Sequence, residues 1–392
     1  MAERALAHVE QIVDIQPIPD ADKIEVCTVL GWKVVIAKKD NFQVGDKVVY
    51  IEIDSKVPER PEFEFLRDRK FRIRTIRLRG QWSQGLVLPL SILGKGDWNV
   101  GDDVTEKLGI TYYVPEDNAR KSSKPPKSMK YQSMAARHRK LFRKQPFRWL
   151  MRREWGRRLL FIFFGKKKDK PRAFPTKFAF VHKTDETRIE NMPWLLGYDK
   201  PLIVTEKLDG TSSTYILERL PKKNKFEFWV TSRNVRQFSE DQECFHEYNI
   251  YWAMAKKYDI QNHLTEYLKE HPECDYVCIQ GESVGSVQGN PLKLAEDDLY
   301  VFNFIDSQKG RWSSLEGKAL VEGWGMKWVP ILETKFMMPT DMEEFKQMAT
   351  AKSVVNPKVL REGIVLRDPT NDLSFKNVSR EFLLKHEYDF EA

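Results

Sequence analysis

Cysteine is scarce in this chain: four among 392 residues, at Cys27, Cys244, Cys274 and Cys278. There is no CxxC pair, and Cys274 and Cys278 have no histidine partners at finger spacing. A disulfide framework is therefore not expected, nor is a structural zinc, and a reducing compartment is. Long apolar runs are missing too. The longest, LLFIFF from Leu159 to Phe164, is far short of the roughly 20 residues that span a bilayer. The opening MAERALAHVEQ has no signal-peptide core. These absences predict no transmembrane segment and an intracellular, cytoplasmic or nuclear protein. The run from Lys166 to Lys170, KKKDK, fits a nuclear signal as well as plain solvated charge. No GxGxxG occurs, which argues against a doubly wound dinucleotide fold.

Basic charge is plentiful, but it is local. Residues Arg120 to Arg172 hold 20 Lys and Arg against Glu154 and Asp169. That stretch carries +18 of a chain whose net charge is +8, so the remainder is acidic, at −10. A basic balance favours polyanionic partners; here it belongs to one segment. The segment begins KSSKPPK, a composition of disordered chains. It then interleaves its cations with Phe142, Phe147, Trp149, Trp155, Phe161, Phe163 and Phe164. Aromatics among cations suit base stacking or a headgroup layer; a mobile basic linker with a short helix around 148–163 fits equally well.

On either side the chain reads as globular. VEQIVDIQPI, KIEVCTVL, WKVVIA, DKVVYIEI and FRIRTIRL show β-branched enrichment and partial alternation, with turn signals at Pro19–Asp22 and Val44–Asp46. Five strands in under 100 residues predict an OB-type β-barrel. The stretch from Pro19 to Val26 resembles the opening of tRNA-binding OB domains. After Phe174, strands and helices alternate in an α+β pattern.

The chemical centre of the sequence is Thr205-Glu206-Lys207-Leu208-Asp209-Gly210. It lies between LIV and TYIL, so the natural reading is strand, tight glycine turn, strand, with Lys207 at the mouth of a sheet. A lysine amine attacks only when neutral, and its ordinary pKa of about 10.4 must fall. Desolvation or a cation beside Asp209 would lower it. Alone, KxDG is a weak signal. A series of motifs follows it: Thr231-Ser232-Arg233-Asn234, Gln280-Gly281-Glu282, Tyr300-Val301-Phe302-Asn303-Phe304, Arg361-Glu362-Gly363-Ile364-Val365 and Ser374-Phe375-Lys376.

In that order and spacing, the set resembles the covalent nucleotidyltransferases: RNA ligases, DNA ligases and mRNA capping enzymes. DNA ligases and capping enzymes carry another OB domain after the last motif, and only 16 residues follow Lys376. The expected barrel is N-terminal instead. That layout, the approach Lys183-Thr-Asp-Glu-Thr-Arg188-Ile-Glu-Asn191 and the ending Phe382-Leu-Leu-Lys385 are similar to the Deinococcus-type nick-sealing RNA ligases. The resemblance covers residues 1 to about 112 and 174 to 392.

The resemblance implies an α+β chain in three parts. Residues 1–112 form an OB-fold nucleic-acid-binding domain, 113–173 a basic, aromatic-containing linker or insertion, and 174–392 an adenylyltransferase (ATP-grasp-like ligase) domain of antiparallel sheets and helices. It implies an ATP-dependent RNA ligase using Mg²⁺ or Mn²⁺. Lys207 would be the nucleophile that takes AMP, and AMP would pass to a 5′-phosphate that a 3′-hydroxyl then joins. Glu206, Arg233, Glu282, Phe302 and Lys376 would bind the nucleotide, with Phe302 stacked on adenine. Asp209, Glu282 and Glu362 would hold the metal, mainly through water. Arg188 and Lys385 would be further phosphate or RNA contacts. The partner would be RNA or a nicked RNA-containing duplex, bound by a monomer. Two alternatives stay open at this point: a DNA-ligase or capping-type enzyme, and an RNA-binding adaptor that has lost catalysis.

Overall fold

The computed structural model describes residues 5–113, 150, 159–160, 178, 185–220, 225–233, 235–237, 239–240 and 248–389, with side chains as far as Lys385. Nearly all of the basic segment, together with Lys183 and Asn234, lies outside the described residues.

The N-terminal barrel is built from β1 (Ala7–Pro17), β2 (Ile24–Val29), β3 (Trp32–Ala37), β4 (Lys47–Ile51), β5 (Thr75–Leu78), β6 (Gln81–Gln84) and β7 (Leu86–Pro89). Its main sheet is antiparallel in the order β3-β2-β1-β4-β7. Alternation in β3 turns Trp32, Val34 and Ile36 into the core. A bulge between Ile12 and Asp14 bends β1 so that it pairs with β4 at one end and β2 at the other. FRIRTIRL does not supply the fifth barrel strand. Lys70 and Phe71 take left-handed φ of 52° and 58°, which breaks extended geometry. The remainder, β5, folds into a hairpin with β6, and the fifth strand is β7.

The second domain has two antiparallel-rich sheets. The smaller runs β8 (Thr187–Arg188), β16 (Ser374–Val378), β15 (Gly363–Arg367), β9 (Leu202–Lys207), β14 (Ile331–Phe336). The larger is centred on β11 (Lys225–Ser232), β10 (Thr211–Leu220), β12 (Tyr276–Val284) and β13 (Asp298–Asp306). Helices α1 (Ile250–Lys257), α2 (Ile260–Glu270) and α3 (Ser314–Gly323) share one core with the larger sheet. In α2, Ile260, Leu264, Tyr267 and Leu268 supply the buried stripe, spaced as one helix face requires. Ser313 caps α3 by accepting from the Glu316 N–H. Under the smaller sheet, α4 (Met342–Met348) adds Phe345 to a second core with Ile189, Leu366 and Phe375. The chain closes with α5 (Arg380–Asp389).

A polar joint docks the two domains. The Gly31 N–H donates to the Glu190 carbonyl at 2.8 Å. A Cβ at residue 31 would lie 2.9 Å from Glu190 Cα, so the approach needs glycine. Trp32 Nε1 donates to Asn191, whose Nδ2 donates to Glu52. Arg188 pairs with Asp54 at 3.3 Å, and Arg380 donates to Gln84 at 2.9 Å.

Candidate active site

Lys207 is the last residue of β9, opposite Gly363 in register. The next three residues do not close a hairpin within one sheet: they carry the chain from the smaller sheet into β10 of the larger one. Gly210 makes that crossing. A Cβ there would sit 2.4 Å from the Ser283 carbonyl oxygen. The turn is therefore pressed against the strand that bears Glu282.

The cleft between the sheets, about 560 Å³ of open space, is lined by Glu206, Lys207, Arg233, Glu282, Phe302 and Lys376 among others. Lys207 Nζ lies 2.6 Å from Glu362 Oε2. Burial works against the charge of this ammonium, but Glu362, Glu282 and Asp209 outweigh it and hold its pKa above the ordinary value. In the protein alone the pKa is therefore raised rather than lowered, because the strongest neighbours of the amine are carboxylates. The carboxylates are themselves crowded. Burial first, and repulsion from Glu362, push Glu282 up to about 8 and Asp209 to about 7.

This donor set is short of positive charge, and a divalent cation would relieve it. Among the described residues no three His, Cys, Asp or Glu side chains converge closely enough to hold an ion directly. The arrangement therefore fits a hydrated ion such as Mg²⁺, which keeps several waters and takes few direct carboxylates.

Glu206 faces the cleft from β9. Its Oε2 accepts from the Val354 N–H at 2.8 Å, while Oε1 is buried with no partner. Buried acceptors are normally satisfied, so this atom is open to a ligand donor. Phe302, half-buried on β13, has the Arg367 guanidinium 5.8 Å from its ring centroid. Arg367 also donates to the Phe302 carbonyl and to Glu186, which fixes this wall of the cleft. Lys376, opposite Val365 in register, has Asp185 2.5 Å from its Nζ. Burial, with Arg188 and Lys207 nearby, lowers the Lys376 ammonium to about 8 despite Asp185. The Asp185 carboxyl, opposed by burial but held by Lys376 and Arg233, is well below the usual carboxylate range.

Two residues expected as phosphate or RNA contacts lie outside the cleft. Arg188 is buried in the domain joint, over the Trp32 ring and paired with Asp54, and does not line the cleft. Lys385 is exposed on α5 and is not in the cleft either. Conversely, Asp185, Glu186 and Arg367 line the cleft without having been singled out in the sequence. Arg367 follows Val365 by two on one strand, so period-2 alternation could have found it. Asp185 and Glu186 carry no local signal for partners nearly two hundred residues away.

Comparison with known proteins agrees with this architecture. An RNA ligase family model matches residues 200–385, and an OB-fold domain model matches residues 6–90. The solved structure of Naegleria gruberi RNA ligase with PPi is 30% identical, with a TM-score of 0.71, over 98% of this chain and 100% of that one. A mutant of the same ligase with ATP and Mn is 30% identical, with a TM-score of 0.70, over 97% and 99%. Another, with AMP and Mn, is 29% identical, with a TM-score of 0.70, over 98% and 99%. The phenylalanine–tRNA ligase beta subunit of Prochlorococcus marinus is 36% identical over 99 residues, which is 25% of this chain and 11% of that protein. An identity of 30% sustained over the full length of a solved RNA ligase, on the same fold, shows that this chain belongs to the RNA ligase family.

Proposed function

We propose that the chain is an ATP-dependent RNA ligase that works through a lysyl-AMP on Lys207. The observation that carries this reading is the cleft itself: one lysine among three carboxylates, faced by a second, phosphate-competent lysine and by a buried acceptor without a partner. Lys207 Nζ attacks the α-phosphorus of ATP. A P–N bond forms, the bond to the bridging oxygen breaks, and pyrophosphate leaves. Glu362 Oε2, 2.6 Å away, is placed to hold the amine's proton. A divalent cation, when bound, supplies charge neutralisation, and Asp209, Glu282 and Glu362 would hold it through water. Lys376 and Arg233 neutralise the phosphate that stays negative throughout, Phe302 stacks on the adenine, and Glu206 Oε1 accepts from the nucleoside. AMP then moves to a 5′-phosphate, and a 3′-hydroxyl displaces it to leave a phosphodiester. Each step is an in-line transfer, in which positioning and charge dominate.

The nick-sealing, Deinococcus-type reading is supported by the N-terminal barrel. We divide the chain into a nucleic-acid-binding barrel (1–112), a basic insertion (113–173) and an adenylyltransferase domain (174–392), acting as a monomer. The test is sealing of a 5′-phosphate nick in duplexes whose 3′-hydroxyl strand ends in ribo- or deoxyribonucleotides, with ATP or GTP. ATP-dependent sealing of the ribo-ended nick is expected. Sealing of free single-stranded ends only, or sealing with GTP only, would overturn the reading.

A further inference from the structure

The barrel carries a second concentration of charge, separate from the long basic segment. From Arg67 to Arg79 the chain holds Arg67, Arg69, Lys70, Arg72, Arg74, Arg77 and Arg79 against one acid, Asp68. The fold turns part of this run outward: Arg67, Lys70, Arg77 and Arg79 are exposed, while Arg69, Arg72 and Arg74 are half-buried. Phe71, Ile73 and Thr75 are buried, so alternation sends Arg72 and Arg74 to the other side. The β5–β6 hairpin then projects the rest. Its tip is Arg79-Gly80, both with left-handed φ, and Arg77 and Arg79 are exposed. Arg77 is held in place: it lies opposite Trp82 in register, with its guanidinium 5.1 Å from that ring's centroid, and its Nε donates to the Gly80 carbonyl at 2.9 Å. Among the described residues, no carboxylate pairs with Arg69, Lys70, Arg77 or Arg79. Phe65, 62% exposed, stands on the short helix that opens the run.

The position of this edge matters as much as its charge. The Ile73 carbonyl accepts from the Asp54 N–H, and Asp54 pairs with Arg188. Arg188 is the register partner of Lys376. The middle of the run thus lies beside the joint that holds the register partner of Lys376. Two residues on from Ile73, Thr75 lies opposite Gln84, which accepts from Arg380, and α5, which packs on β5, carries exposed Lys385. Arg67 is paired with Glu64, but Arg77, pre-oriented over an aromatic ring, and exposed Arg79 beside it match phosphates spaced along a backbone, and exposed Phe65 offers a stacking face.

We propose that the edge from Arg67 to Arg79 carries the sugar–phosphate backbone of the RNA strand whose end reaches the cleft. The proposal rests on the RNA ligase reading and names the surface that holds its substrate. Each phosphate contact contributes roughly 0.7 to 0.9 to the slope of log affinity against log salt.

The test uses the full chain, so that the long basic segment contributes equally to every variant. Affinity for a nicked RNA duplex is measured across a salt series for wild type, for Lys70→Ala/Arg77→Ala/Arg79→Ala and for Arg77→Lys/Arg79→Lys. The alanine triple is expected to lose about tenfold or more in affinity and to flatten the slope by about 2. The lysine pair, which keeps the charge, retains the slope. Thermal melting identifies a variant that has failed to fold, and in that case the single Arg79→Ala, at the hairpin tip, is read instead, with a slope change of about 1. An unchanged slope in folded variants overturns the proposal, as does tighter binding of wild type to anionic lipid vesicles than to RNA. RNA-free labelling by ATP separates the two readings. A wild type that takes no label sinks the ligase reading, whereas a labelled wild type whose salt slope is untouched by the substitutions sinks only the edge.

Discussion

His8 gives the fold a pH dependence whose sign and size follow from its surroundings. It is buried on β1, with Nδ1 2.8 Å from Glu10 and Nε2 3.6 Å from Glu52. Burial pulls its pKa down, but the hydrogen bonds and charges of those two carboxylates outweigh it and raise the imidazole from 6.5 to about 9. The folded state therefore holds a proton that the unfolded chain releases near 6.5. The stabilisation is fully present below pH 6.5 and is lost as pH rises through 9. At 1.36 kcal/mol per pH unit, the rise from 6.5 to about 9 is worth roughly 3 kcal/mol. Glu52 also accepts from Asn191, so loss of the His8 proton loosens the domain joint as well as the barrel. Urea unfolding of wild type and His8→Gln should be followed from pH 6 to pH 10. Wild type should lose stability across that window, and the variant should be less stable at pH 6 with a flatter profile. Parallel profiles would refute the reasoning, since every other titrating group is common to both proteins.

Three further outcomes follow from the cleft. Gly210→Ala places a methyl 2.4 Å from the Ser283 carbonyl; the sheets must part, at about 1–3 kcal/mol, and melting should show that loss alongside reduced lysine labelling. Glu206→Gln turns one acceptor of the buried carboxylate into a donor; ATP affinity measured by titration should fall roughly tenfold, while an unchanged affinity would leave Oε1 without a ligand role. Asp185 is 44% exposed and occupies Lys376 and Arg233 until a phosphate arrives, so Asp185→Asn should tighten ATP binding several-fold, on the order of 1 kcal/mol, without tightening adenosine. Weaker binding of both ligands would show that Asp185 instead supports the site.

Much of this molecule was legible in its sequence because the motifs lie on strands. Glu206 and Lys207, Glu282, Phe302 and Lys376 each belong to a short β-rich pattern, and strands of two sheets bring them to one cleft. The barrel was legible through turn spacing, although FRIRTIRL misled: its alternation is real, but the left-handed backbone at Lys70 and Phe71 takes it out of the main sheet. Arg188 was read as a phosphate or RNA contact, and its burial between domains was not legible because it depends on Trp32 and Asp54, far away in sequence. The same limit hid Asp185, and it hid the electrostatics of Lys207. Composition shows a lysine near an aspartate; the fold surrounds it with three carboxylates. The basic edge was overlooked beside a longer basic segment that outweighed it in the charge count.

The central claim is that Lys207, and no other residue, takes AMP from ATP. The direct measurement is to incubate the protein with ATP labelled at the α-phosphate and a divalent cation, without RNA, and to map the label by peptide mass spectrometry. The account predicts AMP on the peptide containing Lys207, discharged by pyrophosphate, and no label on Lys207→Ala. Label on any other residue, or label that survives Lys207→Ala, would contradict it.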